Sequence, residues 1–156
     1  MKKLVNPFAN LPEYNCFGCA PGNPEGLHME FFLDGEEVVS FWNPRTNHQG
    51  YHNVLHGGIQ ATMLDEIASW AIYALLDTGG FTSELHITYV KKTATNGGPV
   101  ELRAKVAQHE KKRAVIECTL SQDGEIRSTA TAVYTIFPRH IAERLLNLPP
   151  RDAFRG

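Results

Sequence analysis

The residues best placed to do chemistry form one run, His56-Gly57-Gly58-Ile59-Gln60-Ala61-Thr62-Met63-Leu64-Asp65-Glu66. Gly57 and Gly58 open a long apolar stretch that reads as a helix. The first amides of a helix have no intrahelical acceptor, and glycines let an acceptor approach closely. Such a helix start can hold a developing oxyanion. Gly58 is the first choice of donor, with Gly57 and the His56 side chain as helpers. Asp65 follows about two turns later, at the edge of the helix's polar stripe and beside Ala68 and Ile72. Partly withdrawn from water, its carboxylate suits a base or a nucleophile. Glu66 points about 100° away around the helix and is expected at solvent or at an interface.

A second cluster is Cys16-Phe17-Gly18-Cys19, with Cys118 the third cysteine. Zinc would need about two further ligands, and no second C-x-x-C exists. A redox C-x-x-C sits at a helix start after a strand. This one sits among Pro12, Gly18, Pro21, Gly22 and Pro24. We read it as structural and expect no metal. An odd cysteine count also argues against a secreted disulfide framework.

The elements that must position these groups follow from periodicity. Residues 1–25 are rich in Pro, Asn and Gly and read as an irregular arm. Leu27–Leu33 and Glu37–Trp42 flank Asp34-Gly35, a hairpin signal. Residues 43–56 form a long polar loop in which His48 and His52 are expected to be solvated. From Ile59 to Leu76 apolar residues cover well over half of the helix, which implies enclosure by protein. Gly79-Gly80 is expected to end it. Glu84–Lys92 is the next strand. Alternating runs at Val100–Val106 and Ala114–Leu120 follow, with a turn at Asp123-Gly124 and a last strand from Ile126 to Phe137. Ile141–Leu148 reads as a short terminal helix. One buried helix among antiparallel strands calls for a single curved sheet wrapped around it, an α+β arrangement. The expected organisation is an arm over residues 1–25, a domain over 26–138 and a helical tail over 139–156.

His-Gly-Gly at a helix start, with an acid nine positions after the His in a Leu-Asp context, resembles the hotdog-fold thioesterase superfamily. The loop Gln49-Gly50-Tyr51-His52-Asn53-Val54-Leu55 is similar to that of a branch holding mitochondrial long-chain acyl-CoA thioesterases and bacterial, phenylacetate-pathway relatives. Cys16-Phe17-Gly18-Cys19 with Asn23-Pro24-Glu25-Gly26-Leu27 looks like that branch too, and Ile87-Thr88-Tyr89 fits. The resemblance implies a curved antiparallel sheet around one long central helix. It implies hydrolysis of acyl-CoA or a related acyl thioester to acid and thiol, with Asp65 attacking directly or activating water. It also implies an assisting hydroxyl at Thr82, with Ser83 beside it. Some relatives carry an Asn six residues before the His; here that position is Gly50, leaving Gln49 and Asn53 as substitutes at hand. CoA phosphates call for basic residues, with Lys91 foremost among Lys91, Lys92, Lys111, Lys112 and Arg113. No cofactor is expected beyond CoA as part of the substrate. A homodimer or homotetramer with shared active sites is implied.

The chain has 156 residues, 42% of them hydrophobic and 21% charged, with a formal net charge of −2. That balance fits one globular domain and argues against a bulk nucleic-acid binder. No apolar run approaches membrane-span length, and no signal-peptide run precedes Asn6-Pro7, so a cytoplasmic location is expected. Two rival functions remain: a non-catalytic acyl-CoA-binding module, and a hydratase or dehydratase on the same fold. Asp65 together with His-Gly-Gly speaks against both.

Overall fold

Alternation decides the sheet. Val100, Leu102 and Ala104 are buried while Glu101 and Arg103 face outward, and Ala114, Ile116, Cys118 and Leu120 repeat the pattern. The computed structural model describes residues 1–156. Strands β1 (Lys2–Lys3), β2 (Phe32–Asp34), β3 (Glu37–Trp42), β4 (Gly80–Tyr89), β5 (Val100–His109), β6 (Arg113–Gln122) and β7 (Glu125–Ile136) form one antiparallel sheet. Its order is β1-β2-β3-β5-β6-β7-β4. Helix α1 (Gly57–Leu76) crosses from β3 to β4 at the far edge and packs against β3, β4, β5, β6 and β7. The sheet curves around α1 as expected. Met63, Leu64, Ile67, Trp70 and Ile72 of α1 are fully enclosed. Each such side chain contributes about 1.5–3 kcal/mol by burial.

The turns obey local chemistry. Asp123 and Gly124 both take positive φ, 53° and 76°, which matches the twist of the β6–β7 hairpin. The helix end differs from expectation. Asp77, not Gly79-Gly80, takes the left-handed cap, and its carboxylate pairs with Arg139 of α2 (Arg139–Leu146). Gly80 already belongs to β4, where a Cβ would lie 2.1 Å from the Thr135 carbonyl oxygen. Glycine is needed there for close strand approach. β4 therefore starts four residues earlier than expected and ends at Tyr89, with an irregularity between Thr82 and Glu84.

The arm is less irregular than its composition implies. β1 pairs with β2, and Leu4, Phe8, Cys19 and Ala20 are buried. The Phe8 ring packs against Tyr14, Tyr73 and Phe154, so arm and tail close over α1 together. The expected strand over Leu27–Leu33 enters the sheet only from Phe32. Leu27 and Met29 turn inward, but their amides donate to Phe17 and Gly18 of the arm. The arm loop takes the place of a sheet neighbour.

Candidate active site

His56 caps α1. Its carbonyl accepts from the Ile59 and Gln60 amides, and its Nδ1 accepts from the Gly58 N–H at 2.8 Å. The Gly58 amide is thus engaged, whereas the Gly57 N–H has no acceptor within the chain. The Gly57 carbonyl accepts from the Tyr89 hydroxyl at 2.7 Å, which ties the end of β4 to the helix start. The preceding loop is folded onto itself. The Gly50 amide donates to Val54, the Gln49 side chain accepts from the Asn53 amide at 3.2 Å, and Asn53 has a φ of 57°. A hollow of about 320 Å³, lined by Gly50, Tyr51, Val54, Leu55, His56 and Gly57, opens onto this turn. His48 is buried rather than solvated. Its ring lies 4.9 Å from that of Trp42, its carbonyl holds the His56 amide, and burial lowers its pKa.

Asp65 is half-buried beneath β4 and β7. Thr82 donates to Asp65 Oδ1 at 2.7 Å, and the Tyr134 hydroxyl lies 3.3 Å from the same oxygen and 3.1 Å from the Asp65 carbonyl. Thr82 and Tyr134 are cross-strand partners, so one rung of the β4–β7 ladder supplies both donors. Ser69, one turn further along α1, lies 2.9 Å from the Tyr134 hydroxyl. Burial, then the Asp65 charge, pushes the tyrosine well above its ordinary pKa, so it stays a donor. Thr82 donates to Oδ1, the Tyr134 hydroxyl shares its proton between Oδ1 and the Asp65 carbonyl, and Oδ2 has no partner in the chain. That arrangement holds one carboxylate rotamer while leaving an oxygen free to attack or to take a proton.

The thioesterase superfamily model matches residues 52–129, half of the chain, and this stretch spans both His56-Gly57-Gly58 and Asp65. The chain belongs to the thioesterase superfamily. It is 31% identical over 85 residues to an uncharacterised protein of Schizosaccharomyces pombe, covering 53% of this chain and 44% of that one. It thus spans less than half of that relative's length. Among solved structures, a thioesterase superfamily protein aligns with a TM-score of 0.72 at 20% identity, over 78% of this chain and 63% of the other. A hypothetical thioesterase protein of Streptococcus pneumoniae, solved with coenzyme A, aligns with a TM-score of 0.66 at 18% identity, over 71% and 87%. These likenesses show the hotdog fold.

Within this superfamily member the other expected residues are scattered. Ser83 donates to the Val133 carbonyl, and Lys91 pairs with Glu125 at 2.5 Å. Gln49 and Asn53 lie in the loop before the helix start and bond to each other. Glu66 departs from expectation: it lies under the arm, not at solvent. Its Oε1 is 3.5 Å from Cys16 Sγ and 3.3 Å from Trp70 Nε1. Burial pushes its carboxyl up to about 7. Cys19 lies 3.5 Å from Cys16 and acts as the donor; this pulls the Cys16 thiol down to about 5, and Cys16 together with burial pushes Cys19 up. Sequence reasoning assigns no site role to Tyr134, Ser69 or Tyr89. Tyr134 lies on the inward-facing alternation of β7, but only the strand register sets it against Asp65.

Proposed function

We propose that the protein hydrolyses acyl-CoA or a closely related acyl thioester. Asp65 acts as base or nucleophile, and the free Gly57 amide serves as the principal oxyanion donor. Gly58 and His56 complete the helix start around it. The observation that carries this reading is the bonding of Asp65: Thr82 and the Tyr134 hydroxyl lie against one oxygen and the other is free. The superfamily and the CoA complex of a structural neighbour favour the thioester and its carrier. Gln49, Asn53, Ser83 and Lys91 are proposed to contact the substrate from the rim.

The geometry of α1 bears on assembly. Gly57 and Asp65 are eight residues apart on one helix, roughly 12 Å along its axis. A reacting carbonyl must lie about 3 Å from both donor and base, so one chain cannot supply the pair. A second copy can. β4 is an edge strand of ten residues, and an edge this long invites pairing. Thr82 of β4 touches Asp65 and Tyr89 touches Gly57. Antiparallel pairing of β4 with its own copy, about a two-fold axis between Leu85 and His86, sets Thr82 opposite Tyr89 of the partner subunit. That brings Asp65 towards Gly57 of the partner subunit. We propose a homodimer, or a tetramer built from it, with each site shared across β4.

The test is thiol release from a panel of aliphatic and aryl acyl-CoAs by wild type and Asp65→Asn. Turnover of the best substrate should fall by roughly 100- to 10,000-fold, with affinity little changed. Asn keeps an oxygen for Thr82 and Tyr134, so folding should survive. Near wild-type turnover in a folded Asp65→Asn protein would refute the role given to Asp65. Binding without turnover across the whole panel would favour the acyl-CoA-binding module instead.

A further inference from the structure

Cys16, Cys19 and Glu66 come from opposite sides of a part-buried seam, the two thiols from the arm and the carboxylate from α1. Their ligand atoms all lie within 4.8 Å of one another. The two sulfurs are 3.5 Å apart, and Cys16 Sγ lies 3.5 and 3.6 Å from the Glu66 oxygens. A tetrahedral zinc ion, with bonds of about 2.3 Å to sulfur and about 2.0–2.2 Å to oxygen, sets sulfur–sulfur edges of about 3.8 Å and sulfur–oxygen edges of about 3.6 Å. We propose that these three side chains hold one zinc ion. This reverses the expectation drawn from cysteine spacing, because Glu66, fifty residues from Cys16, supplies the ligand that spacing could not show.

Three features support the assignment. First, Gly18 stands between the cysteines, and a Cβ there would fall 2.5 Å from the Glu66 carboxyl. The glycine is what lets the carboxylate reach the loop. Second, no ion pair of the chain includes Glu66. An enclosed carboxylate beside two thiols, without a basic partner, is costly, and a divalent cation supplies the missing charge. Third, a cavity of about 420 Å³ lined in part by Tyr14, Cys16, Cys19 and Glu66 gives the ion a way in. It leaves the fourth position to water or to the Tyr14 hydroxyl, which lies 2.9 Å from Cys19 Sγ. Two thiolates select zinc over magnesium or calcium. Binding takes both cysteines as thiolates and Glu66 as a carboxylate, releases whatever protons these groups still carry, and involves no redox change. The ion would staple the arm to α1 one residue from Asp65, as a positioning element through which no chemical step passes. The site stands whether or not the thioester reading does.

Fully reduced, metal-free protein should be titrated with zinc against a chromogenic chelator, and separately with cobalt. We expect one ion per chain with a Kd at or below about 0.1 µM, and a sulfur-to-cobalt charge-transfer band. Glu66→Gln, close in shape, should keep the band and weaken zinc at least about 10-fold. Cys19→Ser should lose about half the band and most of the affinity. Wild-type protein binding zinc no more tightly than Cys19→Ser would overturn the site. So would Glu66→Gln binding as tightly as wild type. A Cys16–Cys19 disulfide that forms equally fast with and without zinc would do the same.

Discussion

Asp65 Oδ1 accepts from Thr82 and lies against the Tyr134 hydroxyl, Oδ2 has no partner, and the proposed chemistry rests on this asymmetry. Thr82 holds Oδ1 directly, and Tyr134 adds a contact to the same oxygen and to the Asp65 carbonyl. Tyr134→Phe deletes a hydroxyl that serves both Asp65 and Ser69 while keeping the ring in place. The expected cost is about 1 kcal/mol of stability for one hydrogen-bonded hydroxyl. Turnover should fall about 10-fold with KM nearly constant, because the base still acts but is less well held. Steady-state thiol release beside urea unfolding checks both numbers. An unchanged kcat would mean that Tyr134 is only a core residue. His56 shows the same economy at the helix start, since its ring takes the Gly58 amide and leaves Gly57 as the free donor.

At the scale of elements, β4 is held on one side by β7 and on its inner face by α1. It lies against α1 through Thr82 and Tyr89, and it meets β7 closely at Gly80. Gly80→Ala would put a Cβ 2.1 Å from the Thr135 oxygen and 2.9 Å from the Ile136 Cα, both backbone atoms that cannot step aside. A loss of about 1–3 kcal/mol is expected from the urea midpoint. Gly22→Ala, whose Cβ would meet nothing within 4 Å, is the control and should be nearly neutral. The elements themselves were legible, because α1 and strands β5 to β7 carry their periods locally and Asp123-Gly124 names its own turn. What was not legible depends on long-range contact. The helical wheel separates Glu66 from Asp65 by about 100°, yet arm and sheet cover the helix from both directions, so both residues are half-buried. The C-x-x-C gives no sign of its contact with Glu66, which lies fifty residues away in sequence. Gly79-Gly80 looked like a helix stop because a close strand crossing and a helix cap ask for the same residue type.

At the scale of the whole molecule, α1 separates the proposed donor Gly57 from the proposed base Asp65 by more than one carbonyl can bridge, and β4 leaves a long edge unpaired. A dimer through β4 answers both facts, and subunit mixing tests it most directly. Asp65→Asn and Gly57→Val proteins should each be nearly inactive. Co-refolded in equal amounts, half of the dimers pair one variant with the other. Each such dimer carries one site with both defects and one site with neither. Activity towards the best acyl-CoA should therefore return to about one quarter of wild type for a two-fold assembly. Recovery near that level is the predicted result. A mixture as inactive as its parents, with mixed dimers shown to be present, would contradict the shared site.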